Sequence, residues 1–360
     1  MTPSLTPTQK AATLLELHHA SQPLILINAW DAASAAMIEH CGLPAIATSS
    51  AALANALGFP DGQYLPWQQM LDAVARVCRA VKVPVTADIE SGFVSNVTAL
   101  ETSITQIIEA GAVGVNLEDV MPANPAHQSA NPEIADQETA DLQSDDLQNA
   151  DHKIAPAKNA APVRHGQPLF PLPEQIARIQ AARRAAQAAG IHLVINARTD
   201  AYWQACVEPA EAMRGTLERG KAYLQAGADC IFIPGLRNPD HIKTVIDHLS
   251  GGYVRPHPRV AGLRTIDPQT ADLRTNDLRT NDSPTVHRVA PVNILAGPGV
   301  PSIPELAKLG VKRISYGSGP HRAAMGLLRR IASEARTPGT YSALTEGAVP
   351  YEEINGLFGK

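Results

Sequence analysis

The sequence predicts an α/β fold, a (β/α)₈ TIM barrel spanning residues 1–360 as a single domain, with a leading helix and a helical tail. Three observations predict it. Eight short apolar runs alternate strictly with helix-period segments, the signature of parallel strands buried under helices. Glycines stop several of those helices, at Gly42, Gly111, Gly190 and Gly227. Eight regular units without a GxGxxG turn favour a closed barrel over an open doubly wound sheet. The chain has 360 residues, 44% of them apolar but only 4% aromatic, so the core must be aliphatic.

Leu14, Leu15 and Leu17 share one side of a leading helix over 8–20. Pro23-Leu24-Ile25-Leu26-Ile27-Asn28 reads as the first strand, and Asp31 is placed to cap the helix after it. Ala45-Ile46-Ala47-Thr48 is the second strand, ending in Ser49-Ser50-Ala51. A Gly/Pro-rich loop around Asp61 leads to a helix over 66–80. The third unit pairs strand 84–88 with helix 97–110, and the fourth pairs strand 113–117 with helix 173–189. Strand 192–197 with helix 209–226 and strand 229–233 with helix 240–249 follow. Pro291-Val292-Asn293-Ile294-Leu295 precedes a short helix from Ile303. Val311-Lys312-Arg313-Ile314-Ser315-Tyr316 precedes a helix over 320–335, and residues 341–358 form the helical tail.

Two polar, aperiodic segments interrupt the alternation: 120–168 after strand 4, expected over the active face, and 254–289 before strand 7. They share a local repeat, Ala140-Asp141-Leu142-Gln143 against Ala271-Asp272-Leu273-Arg274. So few units cannot bury a core, so both are read as surface insertions.

A formal net charge of −5 and a pI near 6.2 supply no basic field, which argues against nucleic acid or an anionic membrane as partner. No apolar run is long enough to span a bilayer. The four cysteines are scattered, without a CxxC pair, as suits a reducing compartment. A cytoplasmic protein is expected.

Barrel chemistry collects at the C-terminal ends of the strands. Those ends offer Asn28 and Asp31, Ser49 and Ser50, Asp88 and Glu90, Glu118 and Asp119, Arg198 and Asp200. No histidine joins them. Carboxylates without imidazole or thiolate suit a hard cation, Mg²⁺ or Mn²⁺. Asp88 and Glu118 leave neighbouring strands and would repel each other without a cation or protons. They are the natural metal pair. Asp31 and Glu90 serve equally as caps, and Asp119 or Asp200 could pair with Arg198 or cap a loop. Arg198 ends a buried strand, placed either in an ion pair or as a clamp on a substrate carboxylate. Ser49-Ser50-Ala51 offers backbone N–H groups to a carboxylate or enolate oxygen. Gly-rich turns after strands 7 and 8 form a competing phosphate site, weakened because Pro298 and Pro320 each remove a donor.

Several motifs, in order, resemble the isocitrate lyase/phosphoenolpyruvate mutase superfamily. They are Asn28-Ala29-Trp30-Asp31, Thr48-Ser49-Ser50-Ala51, Thr86-Ala87-Asp88-Ile89-Glu90, Asn116-Leu117-Glu118-Asp119, Asn196-Ala197-Arg198-Thr199-Asp200 and Leu295-Ala296-Gly297-Pro298-Gly299. The resemblance implies a Mg²⁺-dependent enzyme whose substrate passes through an enolpyruvate-like anion. It implies metal between Asp88 and Glu118, Ser49, Ser50 and Ala51 on the 2-oxo-acid end, Arg198 on its carboxylate, and Asp61 as an acid near the reacting group. It also implies a homo-oligomer, a dimer or a tetramer built from dimers that exchange the eighth helix.

This sequence departs from the family pattern in three places. No cysteine lies between Cys78 and Cys206, which disfavours isocitrate and methylisocitrate lyase activity. Thr86 stands where the family's D-x-D begins, and Pro234-Gly235 replaces a glutamate after strand 6. The expected activity is a lyase or decarboxylase on a small 2-oxo or 2-hydroxy dicarboxylic acid. The alternatives are a phosphonopyruvate or carboxyphosphonoenolpyruvate mutase and a non-catalytic metabolite-binding barrel.

Overall fold

Eight parallel strands close on themselves in the computed structural model, which describes residues 5–122, 167–203, 207–251, 253 and 289–358. The first strand, β1, comes in two pieces. Leu24–Leu26 pairs with the last strand and Asn28–Ala29 pairs with the second, so β1 joins the two edges of the sheet. The others are β2 (Ile46–Thr48), β3 (Val85–Asp88), β4 (Gly114–Glu118), β5 (Val194–Arg198), β6 (Cys230–Phe232), β7 (Val292–Leu295) and β8 (Arg313–Ser315), each parallel to its neighbours. The predicted barrel is the observed one.

Several helices begin where the sequence caps them. Helix α1 (Pro7–Leu17) opens on a Thr6/Gln9 capping box, and α2 (Ala32–His40) on Asp31, which accepts from Ser34 N at 2.7 Å. Next come α3 (Ser50–Ala56), α4 (Trp67–Ala80), α5 (Val97–Glu109), α6 (Leu172–Ala188), α7 (Pro209–Ala226), α8 (Pro239–Ser250), α9 (Ile303–Leu309) and α10 (Gly319–Arg336). Gly227 ends α7 at φ +109°, where a side chain would be strained. The predicted tail over 341–358 is two short helices, α11 (Ser342–Thr345) and α12 (Tyr351–Gly356), with no buried residue.

One element was not expected. The run after β2, to which the sequence assigned no element, is helix α3, with Ser49 as its N-cap and four of its residues buried. Its sequence, SAALANA, is too uniformly small to show a helical period.

Helix α1 closes the floor of the barrel. Leu14 reaches the start of β4, where a Cβ on Gly114 would lie 2.8 Å from Leu14 Cδ2 and 2.9 Å from Thr86 Oγ1. The glycine makes that approach possible. His18 is fully buried; its Nδ1 lies 2.7 Å from Leu14 O and its Nε2 lies 3.2 Å from the Arg313 guanidinium at the start of β8. Burial first, then the charge of Arg313, pulls the His18 pKa down to about 3, so the ring is neutral, donating from Nδ1 and accepting at Nε2.

Nearly all of both predicted insertions, including the repeats at 140–149 and 271–280, lies outside the described residues. The ends of the first are close together: Val120 bridges Leu169 antiparallel, and Met121 N donates to Pro168 O at 2.9 Å. Among the described residues no helix is long and apolar enough to cross a membrane.

Candidate active site

A cavity of about 280 Å³ opens at the C-terminal ends of the strands. Ser49, Ser50, Ala51, Asp61, Asp88 and Arg198 all line it. The strand register explains part of this convergence. Asp88 is level with Asn116, and Glu118 with Arg198, so alternate residues of adjacent strands point the same way. Asn28 braces the rim: its Nδ2 donates to Thr48 O at 2.7 Å, and its Oδ1 accepts from Tyr316 N and Gly317 N at 2.9 and 2.8 Å.

Asp88 is held by the start of α3. Its Oδ2 accepts from Ser50 N at 3.0 Å and from Ser50 Oγ at 2.8 Å, while its own N–H donates to Thr48 Oγ1 at 3.0 Å. The other carboxylate oxygen accepts no hydrogen bond among the described residues. Ser50 thus orients Asp88, and Ser49 is occupied as the helix cap, accepting from Ala52 N at 3.4 Å.

Arg198 is gripped by two acids. Its Nε and Nη2 donate to the two Asp200 oxygens at 2.6 and 2.7 Å, and its Nη1 lies 2.8 Å from Glu118 Oε2. Burial alone would lower the guanidinium pKa, but Asp200 and Glu118 outweigh it and hold the group well above its ordinary value. Phe232 lies against the same guanidinium, Cζ to ring centroid 5.7 Å. Of the two readings open for Asp200, the Arg198 pair is the one formed.

Behind this pair sits a buried network. Asp119 Oδ1 accepts from Asp200 N at 3.0 Å, and its Oδ2 accepts from Tyr223 OH at 2.7 Å and faces Arg219 at 3.3 Å. Burial, with the charge of Asp200, raises the Asp119 pKa. The network ties α7 to the loop that carries Asp200. Glu90 is buried too, at φ +51°, and accepts from Gln63 N at 3.2 Å. It fixes the loop after β2 rather than facing the cavity.

The oxygen-rich wall fits a hydrated hard cation. Asp88 presents one unengaged carboxylate oxygen on a cavity whose other polar groups are hydroxyls, amides and carboxylates with the Arg198 guanidinium and the Trp203 indole, and no imidazole or thiol lines it among the described residues. Among the described residues no three His, Cys, Asp or Glu side chains cluster as a metal site. Such a cation would therefore keep several waters. Glu118 is not on the cavity wall; its side chain is 3% exposed and paired with Arg198.

Comparison with known proteins places the chain in a family. A family model described as phosphoenolpyruvate phosphomutase matches residues 14–165 and 151–280. The chain belongs to that family. The phosphoenolpyruvate mutase/isocitrate lyase superfamily around it contains both lyases and mutases. The 2,3-dimethylmalate lyase of Eubacterium barkeri is 28% identical over 243 residues, 67% of this chain and 68% of the relative. A solved structure from Burkholderia cenocepacia J2315, described as a candidate phosphonomutase, is 30% identical. It covers 92% of this chain and 100% of its own, with a TM-score of 0.66. Phosphonopyruvate hydrolase, solved with oxalate and Mg²⁺, shares the fold at 20% identity and a TM-score of 0.65, covering 97% of this chain and 94% of its own.

Of the residues singled out in the sequence, Asp31 is the α2 cap, Glu90 and Asp119 are buried supports, and Asp200 belongs to the cavity. Sequence reasoning missed Asn116, Trp203 and Phe232, which also line it. Asn116 and Phe232 could have been found from alternation along β4 and β6. Trp203 stands on a 3-10 turn (Ala201–Trp203) with no periodic signal.

Proposed function

We propose that this phosphoenolpyruvate mutase family member is a Mg²⁺-dependent carbon–carbon lyase or decarboxylase acting on a small 2-oxo or 2-hydroxy dicarboxylic acid. The observation that carries the reading is the meeting of Asp88 and Arg198, from β3 and β5, on one small cavity beside the first turn of α3. Asp88 would hold the cation, with Glu118 contributing when it turns from Arg198, and Mn²⁺ could substitute. A bound Mg²⁺ would supply Lewis acidity toward the oxygen on C2. Arg198 has five N–H donors, of which three contacts to Asp200 and Glu118 leave two for a substrate carboxylate. Ser49, Ser50 and Ala51 would orient the 2-oxo-acid end. Asp61, on the wall after β2, is the side chain placed to carry a proton to or from the carbon released by cleavage.

The test is a Mg²⁺-dependent turnover screen over oxaloacetate, methylisocitrate and phosphonopyruvate. Turnover of a C–C substrate that disappears on chelation and in Asp88→Ala is expected; undiminished activity of a folded Asp88→Ala protein would sink the assignment. The second reading, a phosphonate mutase, is favoured by the 30% identity to the Burkholderia structure, and turnover confined to phosphonopyruvate would select it. Binding without turnover across the screen would select a non-catalytic metabolite-binding barrel.

Helix α10 supports a homo-oligomer. It has 18 residues, yet His321 alone is buried, while Met325 and Leu328 are 46% and 55% exposed. A barrel helix that leaves its apolar side in solvent suits exchange with a second copy.

A further inference from the structure

Asp61 sits in a loop that is loose by composition. Gly58 and Gly62 lie on either side of it at φ +86° and +116°, and glycine restrains the chain least. The start of the loop is tied to α3, where Phe59 N donates to Ala54 O at 2.8 Å and Phe59 O accepts from Asn55 Nδ2 at 3.1 Å. Past Asp61 the tie is Gln63, and it runs to the loop of another strand.

Gln63 is 2% exposed and is not on the cavity wall. Its backbone N–H donates to Glu90 Oε1 at 3.2 Å, its Nε2 donates to Ser91 Oγ at 2.7 Å, and its Oε1 accepts from Phe93 N at 2.8 Å. The Phe93 N–H can only donate, which fixes the orientation of the Gln63 amide. Ser91 is held in turn. Its carbonyl accepts from Nη2 of Arg178, a fully buried α6 guanidinium whose Cζ lies 4.4 Å from the Phe170 ring centroid. Gln63, Glu90 and Phe93 have φ of +64°, +51° and +58°, and among the described residues no other non-glycine residue has a positive φ. Backbone strained in this way persists where its surroundings over-determine it, and it collects at functional sites.

The clasp joins two cavity acids. Asp61 stands two residues before Gln63, Asp88 stands two before Glu90, and both acids line the cavity. Ser50 and Thr48 already fix Asp88. We infer that Gln63 is the positioning residue that sets Asp61 in place relative to Asp88, acting through Glu90, Ser91 and Phe93 and touching no substrate itself. This rests on the proposed function, which makes Asp61 the proton carrier and Asp88 the cation ligand.

Two variants of the full chain test it. Gln63→Met keeps the length of the side chain and the backbone N–H but removes both amide bonds, and Ser91→Ala removes one of them from the other side. On whichever acid of the turnover screen is consumed, Gln63→Met should lower kcat about tenfold to a hundredfold, the cost of a misplaced catalytic group, with KM near native. In an Asp61→Asn background the same substitution should add nothing, because the group it places is gone. Amide hydrogen exchange reads the tie without substrate: residues 58–65 should exchange faster in both variants while α2 exchanges as in the native chain. A kcat within about twofold of native, or an equal further loss in the Asp61→Asn background, overturns the inference and leaves the lyase reading standing. Unchanged exchange in both variants overturns it with or without a substrate. An Asp61→Asn protein that keeps the native kcat removes the role of Asp61, and the inference with it.

Discussion

Replacing Arg198 by alanine should damage the fold as well as the site, and by an amount that can be anticipated. Arg198 is the counter-ion of two acids whose side chains are almost out of solvent, 3% exposed for Glu118 and 7% for Asp200, and it is itself 14% exposed. Removing one partner of a buried pair costs about 3–5 kcal/mol, because the survivors stay buried and charged. Asp119, its pKa already raised by burial and by Asp200, adds a third acid behind them. In the variant the buried carboxylates have lost their cation, which disfavours their charged forms in the folded chain. The folded chain then binds protons more readily, so stability falls as pH rises through the unfolded carboxylate range and beyond. Urea unfolding of Arg198→Ala near pH 7 should show the loss, and near pH 5 a smaller one. Millimolar Mg²⁺ should restore part of it if the carboxylates accept the ion. An Arg198→Ala protein within about 0.5 kcal/mol of the native one, with an unchanged pH dependence, would refute the counter-ion role.

The floor of the barrel makes a second pH prediction. His18 has its pKa depressed from 6.5 to about 3, so the stability tied to its neutral form is complete above about 6.5. It is lost as pH falls toward 3, at up to about 1.4 kcal/mol per pH unit. His18→Gln should shrink that slope in unfolding titrations; an equal slope in both proteins would count against it. Gly114→Ala places a methyl into Leu14 and Thr86 and should cost about 1–3 kcal/mol in denaturant unfolding. Met325→Glu with Leu328→Glu on α10 should lower the mass measured by light scattering, whereas an unchanged mass would remove α10 from the interface.

The barrel was legible because each strand is short, apolar and followed by a period that only a helix satisfies. Leu193-Val194-Ile195 and Ile231-Phe232-Ile233 cannot be half-exposed strands, and parallel burial is the one arrangement that covers both faces. Helix ends were legible where chemistry fixes them, as at Asp31 and Gly227. Helix α3 was not, because a run of alanine and serine broken only by Leu53 and Asn55 leaves no apolar stripe to detect. Its consequence for the site is direct: Ser50 is a helix residue donating to Asp88, where the sequence offered only a strand end with accessible amides.

The site residues divide along the same physical line. Asp88 and Arg198 could be placed at the mouth because a charge directly after a buried strand has nowhere else to go. What their side chains bind depends on register, which a single strand does not carry. Pairing brings Glu118 level with Arg198, and from that follows the ion pair that takes Glu118 off the cavity wall. Glu118 as metal ligand and Glu118 as counter-ion of Arg198 are competing uses of one carboxylate. A cation at Asp88 would draw Glu118 one way, and substrate carboxylate arriving at Arg198 would release it the same way. Binding of the two should therefore be cooperative: the apparent Mg²⁺ affinity should rise when a 2-oxo acid is present, and Glu118→Gln should reduce that coupling. Equal Mg²⁺ affinity with and without the acid in the native protein would show that Glu118 does not link the two.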